Sequence, residues 1–303
     1  MNIAITCIIP TCNRPEVICE TIKQLLNQTL PAHEIIIIDQ TRSYPSHVLA
    51  CMQEWAASGC IKWYCQSAAN ASMARNSGAL LARGDVLLFL DDDIRIRTDF
   101  LAAHASNYEG QSMQGVAGQI LDGDGSTVNV LTKQHKDIEW GSLNFPKNYD
   151  SRIQTAWMAS GNFSVPKEIY LELGGMDEWY EKGAYREESD FAMRYFRSGR
   201  MFQFDPSASL YHLGKQVVSG GGCRSFTSVW GGWHHFVGSW YFTLGFAKPS
   251  NVIQMVWAHW RSLAFNAASL RKPLLFVARA CMFLMAFPFA ASLRFRGAKL
   301  VNR

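Results

Sequence analysis

Beyond Asp205 this chain has no acidic residue. Residues 206–303 carry eleven Lys or Arg, whereas residues 1–205 carry eighteen basic and twenty-five acidic side chains, a balance of −7. The formal net charge of +4 conceals that division, which points to an anionic partner for the C-terminal part. The eight cysteines (Cys7, Cys12, Cys19, Cys51, Cys60, Cys65, Cys223 and Cys281) form no CxxC pair. Zinc-ribbon and thioredoxin-type chemistry are thereby disfavoured, and reduced thiols in a cytosolic protein are expected. No 18-residue segment is both strongly apolar and free of charge; 273–293 comes nearest, but it contains Pro273, Arg279 and Pro288. Against the roughly 20 predominantly apolar residues of a spanning helix it is marginal, and a single spanning helix stays as an alternative to one lying on the surface. No basic region precedes the apolar run 3–9 and no cleavage site follows it, so no signal peptide is expected. Internal repeats and low-complexity tracts are also missing. With only 18% of residues charged and 48% hydrophobic, global disorder is excluded, and the chain can bury one large domain or one domain plus an appendage.

What is present in the first half is alternation. The run 3–9 is short, continuous and rich in β-branched residues, as expected of a strand buried on both faces. Residues 16–28 follow with Ile18, Ile22, Leu25 and Leu26 on one helical face. Further strands are expected at 35–38, ending in Asp39, at 61–65 and at 86–90, with helices at 46–57 and 70–82. Such alternation with short connections predicts a parallel sheet with right-handed crossovers. The pattern loosens over 110–150, where Asp122-Gly-Asp-Gly125 lacks EF-hand spacing and reads as a surface turn. Helices are expected at 166–173, between Pro166 and Gly174-Gly175, and from Glu187 to a stop at Gly199. Two short strands follow at 201–204 and 208–211, and a glycine-rich loop at 214–224.

Asp91, Asp92 and Asp93 leave the fourth strand together. Three adjacent carboxylates repel one another and gain nothing from a core. They suit a hard divalent cation, or else a solvated turn. Asp39 ends the second strand, so the acids fall on the carboxyl edge of the sheet, where open α/β sheets bind ligands. Glu187-Glu188-Ser189-Asp190 at a helix start reads either as a general base with a positioning partner or as acids complementing a helix dipole. His212 reads as a metal ligand or a structural histidine, and Arg75 as a phosphate or base contact or a surface cation.

These pieces together resemble family 2 glycosyltransferases with a GT-A fold. The resemblance rests on six motifs in order: Ile8-Ile-Pro-Thr-Cys-Asn-Arg14, Glu34-Ile-Ile-Ile-Ile-Asp39, Ala74-Arg-Asn-Ser-Gly78, Gly84-Asp-Val-Leu-Leu-Phe-Leu-Asp-Asp-Asp93, Leu173-Gly-Gly-Met-Asp-Glu178 and Glu187-Glu-Ser-Asp-Phe191. It covers residues 3 to about 212. It implies an open, mostly parallel α/β sheet flanked by helices, and an inverting, metal-assisted transfer of sugar from a nucleotide diphosphate to a glycan or lipid-linked hydroxyl. By this resemblance Pro10, Thr11, Arg14 and Asp39 line the nucleoside pocket and Arg75 faces the nucleotide. Asp91 to Asp93 form the motif that holds Mn²⁺ or Mg²⁺; within it, on the reading of the residues themselves, Asp91 and Asp93 are the expected ligands with His212 completing the shell, and Asp92 is expected to face the ribose or donor sugar. Gly174–Glu178 lies on the acceptor side and Glu188 is the base. The chain departs from the family pattern at Asp39-Gln-Thr-Arg42, where Asp-Asp-Gly-Ser is usual. It departs again at Met176, where phenylalanine is usual, and at Glu188, where aspartate is usual. A sugar-phosphate nucleotidyltransferase is disfavoured because the loop Pro10–Arg14 lacks that class's Gly-x-Gly-x-Arg glycines. A non-catalytic nucleotide-sugar-binding scaffold is the other alternative, opposed by the two complete acidic motifs.

The expected division is a catalytic domain over 1–225 and a basic, aromatic helical region over 226–303. The latter holds Trp230, Trp233, Trp240, Trp257 and Trp260, half of the ten tryptophans. Tryptophan favours the membrane interface, and Lys or Arg favours anionic lipid. Amphipathic helices lying on the inner, cytoplasmic face of an anionic membrane are therefore expected, against a plain helical cap on the catalytic domain. No nucleic-acid recognition module accompanies the charge.

Overall fold

The computed structural model describes residues 3–110, 114–122, 148–182, 185–214 and 232–301. Its centre is a nine-stranded sheet. Strand β1 (Ile5–Thr11) pairs in parallel with β2 (Glu34–Asp39) and β4 (Val86–Leu90), and β2 pairs in parallel with β3 (Lys62–Cys65). The alternation of these strands explains the layers. Cys7, Ile9, Ile35, Ile37, Leu88 and Leu90 face one core, which helices α1 (Pro15–Leu26) and α2 (Ser46–Ala57) cover. Ile8, Ile36, Ile38, Leu87 and Phe89 face another, covered by α3 (Ala71–Leu81). Pro15 opens α1, where a missing N–H is harmless. Asn70 caps α3 by accepting the Met73 N–H at 3.0 Å. Gly78 lets α3 sit close on β1, since a Cβ there would meet Ile8 Cγ2 at 2.4 Å.

Beyond β4 the sheet becomes mixed. Strand β5 (Ile94–Ile96) and the short helix α4 (Phe100–Ala105) lead to β6 (Val116–Asp122), β7 (Ile153–Thr155) and β8 (Asn162–Pro166). Strand β8 runs antiparallel to β4 and to β6. Helices α5 (Lys167–Glu172) and α6 (Glu187–Arg197) precede β9 (Phe202–His212), which pairs in parallel with β6 and antiparallel with β5 and β7. The two short strands expected around 201–211 are therefore one strand. Its register against β6 jumps from Gly118↔Asp205 to Gln119↔Ser209, and the intervening Pro206 produces the break seen in the sequence. Strands β6, β7 and β8 were not anticipated. Asp122 ends β6, while 123–125 of the expected turn, the glycine-rich loop beyond Gly214 and Trp230 lie outside the described residues.

The C-terminal region is helical: α7 (Trp233–Phe246), α8 (Val252–Leu263), α9 (Ala267–Leu270) and α10 (Pro273–Phe295). Phe236, Tyr241 and Phe242 of α7 pack with Met282, Phe283, Ala286 and Ala290 of α10, and with Tyr180 and Met193 from the sheet-bearing region. After α10 the chain returns to that region. Glu178 N–H donates to Lys299 O at 3.0 Å, Lys299 N–H to Asp177 Oδ1 at 3.0 Å, and Val301 N–H to Gly174 O at 3.0 Å.

Candidate functional site

The carboxyl ends of β1, β2 and β4 share one edge because the three strands are parallel. Antiparallel β8 begins at that same edge, with Leu90 opposite Asn162. The Ile94↔His212 pairing of β5 with β9 brings the end of β9 there as well. Residues from five separate stretches therefore meet beside Asp91–Asp93.

The three aspartates have different surroundings. Asp92 is buried, accepting Thr11 Oγ1–H at 2.7 Å and Arg14 Nη1–H at 2.8 Å, while its backbone carbonyl accepts Thr21 Oγ1–H at 2.6 Å. Burial pushes its carboxyl up to about 6, against the opposing pull of Arg14 and Thr11. Burial also acts on Asp93, but His212 Nε2 at 3.3 Å and Arg14 Nη1 at 2.9 Å overcome it and hold that carboxyl below its ordinary value. Asp91 is the open one, with its side chain 37% exposed. Gly161 makes room for it, since a Cβ there would lie 2.3 Å from Asp91 Oδ2.

Asp91, Asp93 and His212 present ligand atoms that all lie within 4.8 Å of one another. Two carboxylate oxygens and one imidazole nitrogen suit a manganese-like divalent ion. The ionised state of Asp93 and the space left at Gly161 fit that ion as well.

Asp39 is fully buried at the end of β2. Its Oδ1 accepts the Thr41 N–H at 2.8 Å, and its Oδ2 accepts Trp63 Nε1–H at 2.8 Å and the Tyr44 hydroxyl. Tyr44 and Trp63 meet edge to face, with ring centroids 5.7 Å apart. Neither aromatic was singled out in the sequence, although both lie within or next to the strand-edge motifs. Pro10 is half-buried and paired with Ile38, and Thr11 is buried against Asp92. Arg14 spans Asp92 and Asp93.

Arg75 is 3% exposed and lies between Asp91 at 3.4 Å and Glu187 at 3.5 Å. It links the end of β4 to the start of α6. The next residue, Asn76, donates to Met176 O at 2.8 Å and accepts the Met176 N–H at 2.8 Å and the Tyr170 hydroxyl at 2.8 Å. Asn76 thus pins the Gly-Gly-Met-Asp-Glu segment, whose Gly174 and Gly175 have φ of +78° and +66°. That role was not anticipated, because nothing in local sequence says which distant loop an asparagine will hold.

The acids of α6 also separate. Glu187 is buried, facing Arg75 and accepting Ser160 Oγ–H at 3.4 Å. Asp190 is buried, accepting Tyr180 O–H at 3.1 Å and Arg194 Nε–H at 2.7 Å. Glu188 is the half-exposed member. Arg186 ahead of the helix has φ of +81°, an uncommon conformation for a non-glycine residue, and it turns the chain sharply into α6. Lys215 and Arg224, the cations of the glycine-rich stretch after His212, lie outside the described residues.

Comparison with known proteins bears on this arrangement. One relative is the poly(ribitol-phosphate) β-N-acetylglucosaminyltransferase TarP of Staphylococcus aureus (strain N315), 31% identical over 91 residues. That stretch spans 29% of this chain and 28% of TarP. Among solved structures, GalNAc-T7 with UDP, GalNAc and Mn²⁺ superposes with a TM-score of 0.59 at 17% identity, over 85% of this chain and 55% of its own. S. aureus TarS 1-349 gives 0.59 at 13% identity, over 94% and 81%. The mannosyltransferase PcManGT of Pyrobaculum calidifontis, in complex with GDP-Man and Mn²⁺, gives 0.55 at 15% identity, over 98% and 80%. At these identities the structural likeness establishes the GT-A-like fold. A profile described as "Glycosyl transferase family 2" matches residues 6–173, more than half of the chain and a stretch that runs from β1 past β8 and includes Asp91–Asp93, so the protein belongs to glycosyl transferase family 2.

Proposed function

We propose that this protein is an inverting glycosyltransferase that moves a sugar from a nucleoside-diphosphate donor to a hydroxyl of a glycan or lipid-linked acceptor. The observation that carries the reading is the gathering of Asp91, Asp93 and His212 within 4.8 Å, tied through Arg75 to the helix that bears the half-exposed Glu188. Asp91, Asp93 and His212 would hold a Mn²⁺ or Mg²⁺ ion, which would supply charge neutralisation for the donor diphosphate. Thr11, Arg14 and Asp92 form the floor beneath the nucleotide, and Asp39 with Trp63 and Tyr44 closes the nucleoside end. Glu188 takes the proton from the acceptor hydroxyl. The freed oxygen forms a bond to the anomeric carbon from the face opposite the diphosphate, and the carbon–oxygen bond to the diphosphate breaks, its electron pair leaving with that oxygen. Glu187 and Arg75 hold the start of α6 so that Glu188 stays in place.

We assign residues 1–225 to the catalytic unit and 226–303 to attachment at the anionic inner face of a membrane. The excess of cations and the apolar helix Pro273–Phe295 support that assignment. The test is a thermal-shift series with nucleotide sugars, with and without Mn²⁺. A ligand that binds only the native state raises its melting temperature. A metal-dependent rise for one nucleotide sugar that vanishes in Asp93→Ala is expected. An unchanged rise in Asp93→Ala would remove the metal assignment, and no rise for any nucleotide sugar would remove the reading itself.

A further inference from the structure

Helices α8 and α10 leave apolar side chains in water. On α10, Leu274 is 88% exposed, Leu284 68% and Phe295 95%; on α8, Ile253 is 82% exposed and Trp257 54%. Between the two helices lies a groove of about 430 Å³ lined by Ile253, Val256, Trp257, Trp260, Phe283 and Leu284, among others, all of them apolar or aromatic. Large apolar side chains exposed together along two neighbouring helices mark an interaction surface, whereas singly scattered ones do not. Lys248 ahead of α8, Arg261 in its last turn, and Arg271 and Lys272 just before α10 are exposed, and no acid occurs anywhere after Asp205.

We infer that this face is a seat for an anionic phospholipid leaflet, with acyl chains entering the groove and headgroup phosphates meeting the cations. Charge complementarity selects that occupant. A second copy docking through the same face by two-fold symmetry would press two acid-free, eleven-cation regions together. Tryptophan and long cationic side chains suit the headgroup layer, where one end of each is apolar and the other polar.

The seat is peripheral, although α10 has the length and mean hydropathy of a spanning helix. Met282, Phe283, Ala286, Ala290 and Leu293 are buried in the core shared with α7, and Trp240 Nε1–H donates to Phe283 O at 2.7 Å. Toward its beginning, Arg279 donates to Ser269 Oγ at 2.6 Å. Beyond its end, residues 297–301 are bonded to Gly174, Asp177, Glu178 and Trp179. One side of the helix is thus held by protein nearly end to end. Surrounding it with lipid would tear α7 away and expose the Arg279 cation to hydrocarbon. Only the outer side, Leu274 through Phe295, remains for lipid.

This inference rests on the membrane assignment made above but not on the transfer chemistry, and its test separates the two. The full chain is floated with vesicles of phosphatidylcholine alone or with one-third phosphatidylglycerol. Binding to the anionic vesicles, weakened at least tenfold by Ile253→Asp combined with Leu284→Asp and independently by Arg271→Glu combined with Lys272→Glu, is expected. Alkaline carbonate should release the bound protein. The altered side chains are exposed, so each variant should keep its melting temperature and its Mn²⁺-dependent response to a nucleotide sugar. Flotation that is unaffected by both double variants, absent altogether, or resistant to carbonate would overturn the seat while leaving the transferase reading untouched. Concentration-dependent dimerisation abolished by Ile253→Asp and Leu284→Asp would assign the face to a second copy instead. Loss of the nucleotide-sugar response in the unaltered protein would strike the transferase reading alone.

Discussion

Phe89 and Phe295 are the same side chain in two regions that use it in opposite ways. Phe89 is fully buried, stacked on Phe163 at 4.7 Å and tilted against Tyr170 at 4.9 Å, while Phe295 is 95% exposed at the end of α10. The contrast extends to the polar residues. In the sheet region the acids are drawn inward, and Asp39, Asp92, Asp93, Asp177, Glu187 and Asp190 are all buried with named partners. In the helical region no acids exist, and apolar side chains face outward instead. Burying a carboxylate without partners is prohibitive, so the first region is organised around paired charge. The second, on the reading proposed above, is organised around a partner outside the chain.

The largest effect that would sharpen this contrast lies at the site. Glu188→Gln should lower kcat by about 10²–10⁴-fold while leaving the Mn²⁺-dependent nucleotide-sugar response intact. Near-normal transfer by this variant would detach the half-exposed acid from catalysis. Next comes the core. Phe89→Ala should destabilise by about 3–5 kcal/mol in denaturant unfolding, because it opens a cavity that the stacked rings cannot fill.

The third effect is a dependence on pH. His104 is fully buried between Ser164 Oγ at 2.9 Å and Asn162 Oδ1 at 3.0 Å, and burial pulls its pKa down to about 4 from 6.5. The unfolded chain therefore binds more protons between these values. Stability is fully present above about pH 6.5 and is lost as pH falls towards 4, by on the order of 3 kcal/mol. That loss is the contribution of His104 alone, because Asp92, raised to about 6, gains stability over the same fall in pH. It is therefore read as the difference in pH dependence between the wild type and His104→Gln, each unfolded at pH 7 and pH 4.5, and an equal pH dependence in the two would contradict the buried neutral imidazole.

A smaller effect probes the junction between the regions. Tyr241 O–H donates to Asp177 Oδ2 at 2.7 Å, across from the bond that Lys299 N–H makes to Oδ1. Tyr241→Phe leaves a buried carboxylate short of a donor and should cost about 1–3 kcal/mol. The smallest effect is Phe295→Ser, which should change the stability of the protein in solution by less than about 0.5 kcal/mol. A larger loss there would mean that the outer face of α10 supports the fold itself and would end the comparison.

Much of this was legible in the order of residues. The strands β1, β2 and β4 announce themselves because burial on both faces demands unbroken apolar runs. Asp91–Asp93 and Glu187–Asp190 stand out because carboxylates cluster only where something compensates them. Strand β8 was not legible. Asn162-Phe-Ser-Val-Pro166 places two polar side chains in a fully buried strand, and distant partners make that tolerable: Asn162 and Ser164 meet His104 and Tyr108, and Asn162 Nδ2–H donates to Gln119 O and Ala208 O. Nor could local sequence separate Glu187 from Glu188. One residue of rotation around α6 turns the first towards Arg75 and leaves the second half-exposed.

The sequence by itself determined which residues are apolar, where charge of each sign accumulates, and hence that acids gather at the end of one strand and vanish after Asp205. Those are properties of composition along a line. Only the tertiary structure decided that Asp91 and Asp93 meet His212, that Arg75 spans to Glu187, and that α10 is held along one side by α7. Each of these joins residues distant in the chain, and it is sheet register and helix packing, absent from any local window, that bring them within reach.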